Sequence, residues 1–211
     1  MRGARPFAVL AVAGAVLLAG CGGPKYHYVK SSSNRTYVRV PSKWTLYDED
    51  EILSSTEQSD EAKEQFKRLS WSVAFDASPR PSLDHLLSGS DHPTGLVQVR
   101  TLLPSERDEF SLSDLRSLLL PVDPLSNEAQ LSGDVEVLET KDIKQDGLHG
   151  SELLLNLRTP EGDVVKWRQA ALVDPAVKKV HVLAVSCDTE CYAANEDEID
   201  SVVDSWKVKE R

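Results

Sequence analysis

The chain has 211 residues, with 34 Asp and Glu against 24 Lys and Arg and a formal net charge of −10 at neutral pH. That imbalance argues against nucleic acid or an anionic lipid headgroup as partner, because both select for basic surfaces. It is compatible with cations or basic proteins, although most acidic surfaces are merely solvated.

Arg2 and Arg5 open the chain, and an apolar run follows from Phe7 to Ala19, interrupted at Gly14. A positive start, a short apolar core and small residues before a cut site describe a secretory signal peptide. The run falls short of the roughly 20 apolar residues needed to cross a bilayer. Leu18-Ala19-Gly20-Cys21 resembles the bacterial lipobox. The resemblance implies that the Cys21 thiol accepts a diacylglyceryl group, that residues 1–20 are removed, and that Cys21 becomes the first residue. Two acyl chains give a stable anchor where one is marginal. An ordinary cleaved signal that happens to carry a cysteine is the alternative. Arg2 and Arg5 are not adjacent, so a twin-arginine signal is not supported. The expected location is the extracytoplasmic face of the cell membrane, held by lipid on Cys21. The mature chain keeps 191 residues, enough for one domain with a real core, and its charge becomes −12.

Residues 21–35 read as the lipidated cysteine and a tether, with Tyr26, His27 and Tyr28 as a possible clasp onto the domain. The single domain is expected over 36–211. It opens with a strand at "TYVRVP", where Val38 and Val40 share a face and Pro41 ends the pairing. Residues 48–58 read as an acidic loop. Ser59 caps a helix with Asp60 and Glu61 in its first turn and Ala62, Phe66 and Leu69 as its apolar stripe. "WSVAFD" and "LVQVRTL" are strands, separated by an irregular proline-rich stretch over 77–95. "FSLSDLRSLLLP" is a short helix capped by Ser111 and stopped by Pro121. Four strands at about 135–143, 150–158, 163–173 and 178–187, joined by short turns, form an antiparallel meander. The last of these is apolar on both faces except at His181, which implies cover on both sides. Asn195 is expected to cap the final helix, whose stripe is Ile199, Val202, Val203 and Trp206.

The fold class is therefore α+β: an antiparallel sheet of about six or seven strands, with a C-terminal four-strand meander, flanked by helices. A strand running into "VRVPSKW", the meander, the strand "VLAVSC" and a final helix ending "SWKV" resemble the PsbP-like superfamily. Actinobacterial cell-envelope lipoproteins of this shape carry a similar lipobox. The resemblance spans roughly 36–209 and implies an antiparallel sheet sandwiched by helices in a binding or assembly factor. No ion-related residue of the photosynthetic members can be placed here.

Cys187 and Cys191 are expected to form a disulfide, as cysteine pairs outside the cytoplasm usually do. Free buried thiols and a metal site are the alternatives, and the metal reading lacks further ligands nearby. Asp84-His85 and Asp91-His92 sit seven residues apart in the irregular loop and offer nitrogen and oxygen to a divalent metal. Turn punctuation by Pro93 and Gly95 is the plainer reading. His149 reads as a turn residue, and His181 as a core or partly exposed histidine rather than a base. Trp44, Trp71, Trp167 and Trp206 read as core. The nucleophile elbow, Walker loop, dinucleotide fingerprint, His-Glu-x-x-His and EF-hand motifs are missing from the sequence.

The function expected from these residues is a lipid-anchored extracytoplasmic binding or assembly module, without catalysis or cofactor, serving an envelope protein or small ligand. One alternative is a surface-anchored hydrolase or metal-dependent enzyme using the 84–92 loop. A purely structural envelope lipoprotein is the other.

Overall fold

A computed structural model describes residues 23–159 and 162–209. Residues 1–20, expected as a signal segment, and Cys21 lie outside the described residues. In chain order the elements are β1 (Tyr26–Ser31), β2 (Thr36–Pro41), β3 (Thr45–Tyr47), α1 (Glu49–Ser54), α2 (Asp60–Leu69), β4 (Ser70–Asp76) and α3 (His85–Ser88). There follow β5 (Thr94–Thr101), α4 (Pro104–Arg107), α5 (Leu112–Arg116), α6 (Asn127–Ser132), β6 (Val135–Gln145) and β7 (Leu148–Arg158). The chain continues through β8 (Val164–Val173), β9 (Lys179–Asp188), α7 (Thr189–Ser205) and β10 (Lys207–Val208).

Seven strands build one antiparallel sheet in the order β3-β4-β5-β9-β8-β7-β6, and β1-β2-β10 form a second, smaller sheet. The expected α+β class and the C-terminal meander β6 to β9 are both present. Strand β9 runs through the middle of the large sheet, which is why both of its faces are apolar. On one face, Leu183, Val185 and Cys187 join Val29, Val38 and Val40 of the small sheet and Ile199, Val202 and Val203 of α7. On the other, Val180 and Val182 pack with Leu115 of α5, Leu102 and Ala171. The molecule is thus three layers deep, with the large sheet in the middle.

Four expectations are corrected. Residues Tyr26–Ser31 are not tether but strand β1, paired along its whole length with β2 from Tyr26↔Pro41 to Ser31↔Thr36. Burial of Val29, stacking of Tyr28 on Tyr37 and the Arg39 guanidinium over the Tyr26 ring hold it there. This is the clasp alternative, extended into a full strand. Second, the acidic stretch is not all loop. Asp48 and Glu51 make a reciprocal capping box that starts α1, and Leu53 buries the helix against the core.

Third, the final helix starts at Thr189 rather than after Asn195, because the Asp188 carboxylate accepts from the Cys191 amide at 2.7 Å and caps it earlier. Asn195 lies inside the helix, donating to the Cys191 carbonyl at 2.8 Å. Fourth, the helix does not run into "SWKV": Trp206 leaves it to donate through Nε1 to Thr36 Oγ1, and Lys207–Val208 pair with β2. Trp44 and Trp206 are buried as expected, while Trp71 and Trp167 are only half-buried.

Candidate functional site

His85 does not pair with Asp84. Its Nδ1 lies 2.7 Å from Oδ2 of Asp76, a buried carboxylate at the end of β4. The same carboxylate accepts the backbone N–H groups of Ser78 at 2.7 Å and Ser82 at 2.8 Å. Asp76 therefore pins the proline-rich segment to the sheet. Its position in an apolar-looking strand concealed that role. Asp91 and His92 form a separate local pair at 2.6 Å, and this hydrogen bond and the imidazole charge hold the Asp91 carboxyl below its usual range. Among the described residues, no three His, Cys, Asp or Glu side chains gather as a metal site.

The structure also joins Cys187 to Cys191 by a disulfide. Cys187 ends β9 and Cys191 sits in the first turn of α7, so the bond staples the strand-to-helix corner. Both sulfurs are thereby committed to the fold.

A different place gathers charge. At one end of the molecule the β1–β2 turn (Ser33, Asn34, Arg35), Arg107 of α4, the β8–β9 turn (Asp174 to Lys178) and Lys209 after β10 surround a cleft of about 360 Å³. That volume suits a small ligand. Five cationic side chains, Arg35, Arg107, Lys178, Lys179 and Lys209, line it against one acid, Asp174.

Backbone bonds fix the walls. The Lys209 amide donates to the Arg35 carbonyl at 3.1 Å, and the Leu102 amide donates to the Lys178 carbonyl at 2.8 Å. Arg107 is aimed by two bonds, at 3.1 and 3.0 Å, from Nε and a terminal nitrogen to the Leu102 carbonyl. One oxygen of the Asp174 carboxylate, Oδ1, accepts the backbone amides of Lys178 and Lys179. Lys179 Nζ donates to Asn34 Oδ1 at 2.6 Å, tying β9 to the β1–β2 turn. Two of the turns carry non-glycine residues with positive φ, Arg35 (50°) and Val177 (51°). For a β-branched valine this is a strained conformation that the surrounding structure must enforce.

His181 forms part of this lining. It is only 3% exposed, and its Nδ1 is buried without a hydrogen-bond partner. Burial first, then the positive charge of Lys179, pushes its pKa down to about 4, with Asp174 opposing the shift. The ring is neutral at pH 7 and retains hydrogen-bonding capacity that the protein does not use. The sequence read His181 as a core or partly exposed histidine; the ring is buried, with Nδ1 left unsatisfied. Sequence reasoning missed the cleft, whose only local trace is the dipeptide Lys178-Lys179; the remaining cations come from segments far apart in sequence.

No protein-family model matches the sequence, and no curated protein matches it. Among solved structures, cyanobacterial PsbP (CyanoP) from Synechocystis sp. PCC 6803 aligns with a TM-score of 0.52, covering 94% of this chain and 98% of that one at 14% identity. LpqN, involved in cell envelope biogenesis of Mycobacterium tuberculosis, aligns with a TM-score of 0.43 at 14% identity over 83% of each chain. The Saccharomyces cerevisiae Ran-binding protein Mog1p gives 0.44 at 12% identity, covering 87% of this chain and 95% of that one. The match to CyanoP shows that the fold is PsbP-like. At such identities it speaks of fold and not of activity.

Proposed function

We propose that the protein is a lipid-anchored, extracytoplasmic binding or assembly module of the cell envelope, without catalysis, and that it binds through the cation-lined cleft. The cleft carries the binding reading: five cations converge on one cavity in a chain whose net charge is −10. The lipobox at Leu18–Cys21 supports the anchor, and it stands four residues before the lysine that precedes β1. The polar groups of the 84–92 loop and the two cysteines are engaged within the chain. Asp76 holds His85, Asp91 holds His92, and the two thiols are bonded to each other.

Detergent partitioning and intact-mass analysis of the exported protein test the anchor. Wild-type protein should enter the detergent phase with a mature mass beginning at Cys21 plus a diacylglyceryl adduct. The Cys21→Ala protein should be unlipidated, and either released or retained as precursor. A wild-type chain starting at Cys21 without added lipid mass would sink the anchor. Crosslinking in intact envelopes tests the binding reading: partner or ligand capture should fall when Lys178 and Lys209 are both changed to Glu. Capture that is unchanged in this variant would remove the cleft from the reading.

A further inference from the structure

We propose that the cleft at the β1–β2 and β8–β9 turns is a site for the phosphate group of a small phosphate monoester, with Lys178, Lys209 and Arg107 meeting the anion and the His181 imidazole donating from its floor. The proposal rests on the cleft being the binding site, and it names the chemistry of the occupant.

Bringing Arg107, Lys178 and Lys209 to one cavity costs mutual repulsion, and Asp174 is the one acid among the described residues that lines it. Asp174 is turned to the Lys178 and Lys179 amides. Arg107 is presented in a fixed pose, because Nε and one terminal nitrogen bond the Leu102 carbonyl and leave the other terminal nitrogen. A guanidinium held in this way is preorganised for an oxyanion, whereas the two lysines supply mobile point charges.

His181 adds a second, independent sign. A 97%-buried imidazole with an unpartnered nitrogen carries a desolvation cost that a bound acceptor or donor would relieve. The phosphate of a monoester offers three terminal oxygens and up to two charges, enough for three separated cation heads and an N–H donor. A carboxylate offers two oxygens in one plane and would leave donors unmet. The cavity of about 360 Å³ exceeds a bare phosphate, and Leu148 and Ala176 line the remainder, so an organic group fits beside the anion.

Position narrows the source. Strand β1 begins at Tyr26, paired with Pro41, and the cleft turn lies past Ser31 at the opposite end of the β1–β2 hairpin. Six strand residues at about 3.3 Å each put these ends nearly 20 Å apart. Four residues lie between Cys21 and Tyr26, five steps of chain with a reach of about 17 Å at most. With the lipid on Cys21, the Tyr26 end is held near the membrane and the cleft opens at the far end. A phosphate ester in the surrounding medium meets that geometry better than a headgroup of the anchoring membrane.

Full-length protein carrying Cys21→Ala, so that no acyl chain contributes, is titrated with inorganic phosphate, with glycerol 3-phosphate, and with phosphatidylglycerol vesicles. The His181 ring resonances are followed by NMR. Saturable shifts with glycerol 3-phosphate are expected, weaker ones with phosphate, and none with vesicles. Shifts with vesicles alone would overturn the monoester assignment and give the cleft to the phosphodiester of a lipid headgroup. The Lys178→Glu/Lys209→Glu variant should bind glycerol 3-phosphate at least tenfold more weakly with an unchanged melting temperature. His181→Asn should weaken it while leaving the lysine contacts. No saturable shift with any of the three probes, or equal affinity in the lysine variant, overturns the proposal. If the phosphates fail while envelope capture still depends on Lys178 and Lys209, the cleft binds something other than a phosphate. If capture is independent of them too, the wider binding reading falls with it.

Discussion

His181 shows how one side chain ties stability to pH. Its pKa is about 4 in the folded protein against an ordinary value of 6.5, so between these values the unfolded chain binds more protons. Stability therefore rises with pH in that window. It is whole above about pH 6.5 and drains away as pH falls toward 4, at up to about 1.4 kcal/mol per unit and roughly 3 kcal/mol in all. Paired carboxylates such as Asp123, held low by Arg116, and Glu152, held low by Lys141 and Arg168, lose their contribution further down, once the unfolded acids protonate. Urea unfolding at pH 7.0, 6.0 and 5.0 should give a falling midpoint for wild type and a flatter series for His181→Gln. Parallel slopes in the two proteins would show that another group carries the dependence. Close packing acts at this scale as well: a Cβ on Gly150 would lie 1.9 Å from the Ala171 carbonyl oxygen, so glycine is what lets β7 and β8 approach there.

At the scale of elements, α7 and β9 form the unit on which the core is organised. The chain turns from β9 into α7 within the segment Cys187–Cys191, where the Asp188 cap and the disulfide act on the same corner. Asp188→Ala should cost about 1 kcal/mol, the usual cost of losing an N-cap. Replacing both cysteines with alanine should cost about 2 kcal/mol, from the entropy of closing so short a loop. The combined change, measured by denaturant midpoints, should cost close to the sum of about 3 kcal/mol, and a strong coupling would show that the cap depends on the bond. The edges of the large sheet are handled differently. Strand β6 is mostly exposed, carries Glu139, Lys141 and Lys144, and breaks register between Val137 and Glu139. A charged, bulged edge resists pairing with another chain.

For the whole molecule, the small sheet decides where the fold begins. β2 lies between β1 and β10, so it ties the first strand to the last one. Deleting residues 23–31 removes Val29 from the main core and leaves β2 with a bare edge. The melting temperature should fall by more than about 5 °C, with aggregation that grows with concentration. An unchanged melting temperature would return this segment to the role of a tether.

The amino-acid sequence determined what depends on near neighbours. Periodicity placed the meander and the Ser59-capped helix, short turns made the meander strands antiparallel, and a cysteine pair in a chain read as exported pointed to the staple. The same kind of signal made the small-residue approach to Cys21 stand out as a lipid-attachment pattern. It read Tyr26–Ser31 as tether, because six residues of mixed character become a strand only when β2 supplies the partner. It placed the last helix too late, because Asn195 and Asp188 are both good caps and only packing selects between them. The tertiary structure alone decided the cleft. Arg107, Lys178 and Lys209 lie on separate segments, diluted in a chain whose overall charge is negative. Net charge is a sum over the sequence, whereas a binding field is a sum over distance, and only folding sets the distances.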